Sequence, residues 1–95
     1  MPSRTETVRL IVTGRVQGVG YRVWATRMAV RLGLRGWVRN RADGSVEALV
    51  TGDPKAVATM IEACRDGPPG AGVTDVAATP DDDDGSVGFD ARPTE

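Results

Sequence analysis

The order of apolar patterns along this chain of 95 residues constrains its fold more than any other feature. Apolar residues alternate with polar ones in five segments, as in strands, and recur every three or four residues in two others, as in helices. In chain order these patterns predict a strand over 7–13, a helix of about twelve residues from Tyr21, strands over 34–40 and 45–51, a helix after Asp53, and strands over 72–78 and 86–91.

Each predicted helix connects two strands of what is expected to be one sheet. Such crossovers are right-handed, so both helices lie on the same face of that sheet. The predicted fold class is therefore α+β, a two-layer ferredoxin-like sandwich of order β-α-β-β-α-β plus a short C-terminal strand. The two helices cover one face of an antiparallel or mixed sheet.

Glycine, proline and aspartate mark the expected ends of these elements. Gly33 and Gly67 follow the last apolar positions of the two helices, where glycine commonly ends a helix. The Asp43-Gly44 pair predicts a hairpin turn. Asp53 followed by Pro54 is typical of a helix N-terminus, with aspartate as the cap and proline in the first turn.

A chain of this length forms one core, so residues 1–95 are predicted to be a single domain with a core of about 7–92. Segment 80–86 contains four consecutive aspartates and is predicted to be a solvated, mobile acidic turn between the last two strands. No apolar run is long enough to span a membrane, and no signal peptide is recognisable. A cytoplasmic monomer without membrane or nucleic-acid partners is expected, with Cys64 buried.

Charge is distributed unevenly between the two halves of the chain. Residues 1–41 carry nine arginines and one acid, whereas residues 42–95 carry twelve acids and three basic residues. A positive field of this kind attracts small anions. Most of these arginines, among them Arg27 and Arg31, are expected to lie on solvated outer faces.

The basic half contains the segment 14–22, which has the sequence GRVQGVGYR. Three glycines in seven residues allow the backbone to curl and to present its amide groups to a ligand. A predicted helix starts directly afterwards, with Arg22 at its second position, where a cation without an anionic partner opposes the helix dipole. Loop amides, a helix N-terminus and a guanidinium together predict a phosphate site.

Several other classes of site are excluded by the residues present. The chain has no histidine, which excludes Ser-His-Asp hydrolysis and most zinc sites. No Lys-Ser or Lys-Thr pair follows the glycines, so the segment is not a nucleotide P-loop. A cysteine phosphatase requires an arginine six positions after its cysteine, and Cys64 has none there. RNA binding by base stacking is poorly supported, because the chain has only four aromatic residues.

Segment 14–22 also resembles the signature loop of the acylphosphatases, and Gly36-Trp37-Val38-Arg39-Asn40 with 43–47 (DGSVE) resembles their second signature. The resemblance implies hydrolysis of the carboxyl–phosphate bond of an acyl phosphate, with inorganic phosphate as product and no metal or other cofactor. It implies that Arg22 binds the phosphoryl group and that Asn40 orients the attacking water. The phosphate-binding loop that it implies comprises Arg15, Val16, Gln17, Gly18, Val19, Gly20 and Tyr21.

The residues by themselves leave alternatives open. Asn40 precedes a turn, where asparagine is commonly a turn former. Arg15 could screen the site from the loop entrance, but an exposed loop arginine is its more ordinary interpretation. A non-catalytic module that binds phosphate or another anion would need the same loop. An acylphosphatase-like domain that handles carbamoyl phosphate within a larger protein is the other alternative, which an end at residue 95 is expected to disfavour.

Overall fold

A computed structural model describes residues 4–95 as two helices packed on one five-stranded sheet. The elements are β1 (Glu6–Arg15), α1 (Tyr21–Arg31), β2 (Arg35–Asn40), β3 (Val46–Gly52), α2 (Pro54–Asp66), β4 (Gly72–Pro80) and β5 (Phe89–Arg92). The strand order is β4-β1-β3-β2-β5. Among these pairs only β2–β5 is parallel, so the sheet is mixed. Two helices packed on such a sheet confirm the predicted ferredoxin-like sandwich.

The core lies between the sheet and the two helices. Alternate residues of β1 (Val8, Leu10 and Val12) face this core and are at most 5% exposed. From α2 the core receives Val57, Met60 and Cys64, as the apolar spacing predicts. A single contiguous core therefore fixes β1 and both helices relative to one another.

The predicted helix ends are confirmed. The Asp53 carboxylate accepts a hydrogen bond of 2.9 Å from the Lys55 amide, which caps the N-terminus of α2. Gly33 follows α1 with φ of +72°, and the Gly67 amide donates to the carbonyl of Ala63 at the end of α2. Neither helix of residues 4–95 is long and apolar enough to cross a membrane.

The sheet face away from the helices carries a buried acid, Glu47. Its carboxylate accepts hydrogen bonds of 2.6 Å from Arg9 and 2.8 Å from Arg39. Burial by itself would raise the pKa of Glu47, but the hydrogen bonds from the two guanidinium groups outweigh it and lower that pKa. Arg39 also lies over the Trp37 ring, at 4.8 Å from its centroid. Glu47 of β3 therefore links side chains of β1 and β2 on this face.

The acidic segment between β4 and β5 is exposed, as the sequence predicts, but two of its aspartates contact β2. Asp83 forms an ion pair with Arg35, whose hydrogen bond lowers the pKa of Asp83 to about 2. Asp84 accepts a hydrogen bond of 3.0 Å from the Trp37 indole. Mobility of this segment stays a prediction. Asp84 also accepts from the Ser86 amide in a local turn, and β5 begins only at Phe89 rather than at residue 86.

Candidate active site

The end of β1, the start of α1 and the end of β2 meet at a cavity of about 140 Å³. This volume is large enough for several water molecules, and hence for a phosphoryl group. The residues that line it are Val16, Gly18, Gly20, Tyr21, Arg22, Val23 and Asn40. The structure therefore brings Arg22 and Asn40 to one place, although they lie on different elements.

The loop between β1 and α1 owes its shape to glycine. Gly18 and Gly20 have φ of +75° and +81°, in the left-handed region that other residues rarely adopt. Within the part of the chain that the structure describes, the backbone amides of 17–20 donate no hydrogen bond to the protein. These amides are available to a ligand with oxygen acceptors.

The N-terminus of α1 is also without an acidic partner. No side chain of residues 4–95 caps it, and its first turn contains no acidic residue. The other helix differs, because Asp53 caps α2. A helix N-terminus carries about half a positive charge and leaves backbone N–H groups without an intrahelical partner. Of the two helices, α1 is therefore the one prepared to receive an external anion.

Gln17 has a role that the sequence analysis did not find. Its side-chain amide donates hydrogen bonds of 2.8 Å to the carbonyl of Arg41 and 2.9 Å to that of Ser45. These bonds tie the loop to the turn after β2, the strand that carries Asn40. Arg41 and Ser45 are both far from Gln17 in the sequence, so no local sequence pattern predicts these two hydrogen bonds.

The Arg22 side chain lies at the cavity and is half-buried. One of its guanidinium nitrogens, Nη1, is 3.3 Å from the backbone carbonyl of Arg92 in β5. This contact uses one of the five N–H donors of the guanidinium and leaves four for other acceptors. A planar fork of this kind binds two oxygens of a phosphoryl group at once.

Asn40 is the last residue of β2 rather than part of the turn that follows. The turn begins after it, where the Arg41 amide donates to Ser45 and the Gly44 amide donates to Arg41. Its backbone carbonyl accepts a hydrogen bond of 3.1 Å from the Glu95 amide. Its side chain lines the cavity and takes part in none of the side-chain hydrogen bonds found among residues 4–95, so both its oxygen and its NH2 group are available there.

The remaining predicted loop residues fall into two groups. Arg15 is exposed and lies outside the cavity lining, so its role stays a prediction. Val16 is buried, and Val19 packs partly against the core, so both hold the loop in place.

Tyr21 and Cys64 are buried together at the base of the loop. The Tyr21 hydroxyl donates a hydrogen bond of 2.7 Å to the Cys64 carbonyl. Burial raises the pKa of both groups, that of the Cys64 thiol to about 11. Both side chains are therefore neutral near pH 7, and neither is an activated nucleophile.

Comparisons of the sequence and of the structure with known proteins all lead to the same family. The acylphosphatase family model matches residues 8–91. The acylphosphatase of Acidiphilium cryptum is 55% identical over 85 residues, which are 90% of this chain and 93% of that protein. The structure of an acylphosphatase from Bacillus subtilis is 40% identical with a TM-score of 0.88, covering 90% of this chain and 97% of that one. For an acylphosphatase from Coxiella burnetii the values are 31% and 0.90, with 93% of each chain covered.

Proposed function

This chain belongs to the acylphosphatase family, and on that premise we propose that Arg22, Asn40 and the loop amides carry out the hydrolysis of an acyl phosphate. The chain is an acylphosphatase-type hydrolase. The observation that supports these residue roles is the shared cavity, which joins a free asparagine amide to the arginine and the glycine loop.

The bond to be broken explains why so few groups suffice. In an acyl phosphate the leaving group is a carboxylate, which is stable at neutral pH without protonation. Water attacks phosphorus, the bond from phosphorus to the carboxylate oxygen breaks, and its electron pair leaves with the carboxylate. An acyl phosphate dianion and water thus give a carboxylate and dihydrogen phosphate, so no acid, metal or cofactor is needed to balance the reaction.

In this mechanism Arg22, the loop amides of 17–20 and the N-terminus of α1 hold the phosphoryl oxygens. These groups are in place before the substrate binds, so they balance the negative charge on the phosphoryl oxygens without reorganisation. The left-handed glycines and the side chain of Gln17 maintain the loop in this shape.

Asn40 has the complementary role of placing the water. Its side-chain oxygen accepts a hydrogen bond from the water, and its NH2 group donates to a phosphoryl oxygen. Water held in line with the scissile bond reacts as though the step were unimolecular. The attack is direct, without a covalent enzyme intermediate. Of the residues that line the cavity, only Tyr21 has a side chain of a nucleophilic type, and its hydroxyl donates to the Cys64 carbonyl.

We further propose that the protein acts as a monomer in the cytoplasm. One chain supplies all seven residues that line the cavity. The sole cysteine, Cys64, is free and buried. Sedimentation of the purified chain at assay concentration tests the monomer.

The test of the proposed function is hydrolysis of benzoyl phosphate by the purified chain with and without a chelator such as EDTA. We expect catalysed release of benzoate and phosphate at a rate that EDTA does not change. Inorganic phosphate should inhibit competitively, because product and substrate share the loop. A chain that binds phosphate but does not accelerate hydrolysis would instead be an anion-binding module.

A further inference from the structure

Glu95 lies beside Asn40 and contacts three consecutive residues at the end of β2. Its backbone amide donates the 3.1 Å hydrogen bond to the Asn40 carbonyl. Its carboxylate lies 3.7 Å from Nη2 of Arg39 and 3.5 Å from Nε of Arg41. One residue therefore holds Asn40 and both of its neighbours.

The hydrogen bond from the Glu95 amide to the Asn40 carbonyl continues the pairing along β2 beyond the end of β5. β5 pairs with β2 only from Gly36 to Arg39, so Asn40 lies just beyond the last pair on that side. On its other side Asn40 pairs with Val46 of β3. The Glu95 amide thus satisfies a carbonyl that no residue of β5 reaches.

The Glu95 carboxylate contacts two arginines, of which Arg39 has a second ion-pair partner, Glu47. Arg39 is already held by Glu47 and lies over Trp37. Arg41, the first residue after β2, has Glu95 as its one ion-pair partner among the residues from 4 to 95. The Glu95 carboxylate therefore bridges from Arg39 to Arg41 across Asn40.

We propose that Glu95 is a positioning residue that holds Asn40 in the orientation required to aim the attacking water. The inference rests on the proposed function of Asn40. Glu95 acts through the backbone of residues 39–41, not through contact with substrate. Small displacements of positioning groups reduce rates steeply, by up to about 10²-fold for 1 Å. Loss of two exposed ion pairs is a milder change, because the backbone bond remains.

The test compares Glu95→Gln with Glu62→Gln. The first variant removes the charge and keeps the amide that bonds to Asn40. The second removes the carboxylate of another exposed pair, 3.4 Å from Arg65 on α2 and outside the cavity lining. We expect Glu95→Gln to lower kcat by roughly threefold to tenfold with KM and phosphate inhibition unchanged. Glu62→Gln should match the wild type.

Two further measurements separate positioning from general stability. Salt screens exposed ion pairs, so raising ionic strength should lower the wild-type kcat toward that of Glu95→Gln while the variant changes less. In NMR spectra the Asn40 side-chain amide should shift in Glu95→Gln and stay in place in Glu62→Gln.

An active wild type with an equally active Glu95→Gln variant, and an unmoved Asn40 amide, would overturn the inference and leave the proposed function intact. A wild-type chain without hydrolysis is a different result. It would overturn the proposed function, and the inference with it.

Discussion

Replacing Arg22 by alanine is expected to lower kcat by about 10³-fold or more, the range measured when an arginine that stabilises phosphoryl transfer is removed. At 1.36 kcal/mol per factor of ten, this is about 4 kcal/mol of transition-state stabilisation. Among the described residues that line the cavity, Arg22 has the one side chain with a full positive charge. The same variant should bind inorganic phosphate more weakly, because the fork also grips the product. Steady-state hydrolysis of benzoyl phosphate and its inhibition by phosphate measure both effects.

Two variants make the Arg22 experiment specific. Arg22→Lys keeps the charge but loses the planar fork, so its activity should lie between the wild type and Arg22→Ala. Arg27→Ala removes an exposed arginine from the same helix, outside the cavity lining, and should leave kcat unchanged. Phosphate inhibition that is equally strong in Arg22→Ala and the wild type would exclude the assigned role.

Replacing Asn40 by alanine is expected to lower kcat by about 10²- to 10³-fold, as removal of one preorganised hydrogen-bonding group does elsewhere. KM should change little, because the loop and Arg22 still hold the phosphoryl group. Phosphate inhibition should weaken far less than in Arg22→Ala, because the neutral Asn40 amide gives phosphate one hydrogen bond beside those of the guanidinium and the loop amides. The combination distinguishes an interaction made in the transition state from one that binds the ground state.

The Asn40 experiment needs a control for folding, because this residue ends a strand. Its side chain lines the cavity and takes part in no side-chain hydrogen bond found among residues 4–95, so Asn40→Ala should unfold within a few degrees of the wild type. Near wild-type turnover in a folded Asn40→Ala variant would contradict the role in placing water. A loss of phosphate inhibition similar to that of Arg22→Ala would instead make Asn40 a binding residue.

The sequence predicts the fold well because each element carries its own signal. Alternation in β1 and the stripe of α2 each mark a buried face, and Asp53 marks a helix start. The same holds for the loop, since Gly18 and Gly20 occupy positions that require positive φ. These are local properties, and the printed sequence displays them directly.

Asn40 is harder to assign from its own residue type. Asparagine before a turn is ordinary, and the residues alone favoured a turn former. The structure confirms that Asn40 ends the predicted strand, and it places this residue at the cavity. Only the match to the family's second signature pointed there in the sequence.

The contacts that support the site have no local signature. Gln17 reaches the turn after β2, Glu95 reaches Asn40, and Asp84 reaches Trp37. Each partner is distant in the chain, and pairing depends on how the sheet brings strand ends together. The aspartate run therefore indicated solvation correctly but gave no sign of its bonds to β2.

The central claim is that backbone amides and one guanidinium form the phosphoryl site. A crystal structure of the wild-type chain grown with inorganic phosphate tests it most directly. The account predicts phosphate in the cavity, bonded to amides of 17–20 and to Arg22, with the Asn40 amide within hydrogen-bond distance of a phosphate oxygen. Phosphate bound elsewhere, with Arg22 still on the Arg92 carbonyl and the loop amides facing solvent, would contradict it.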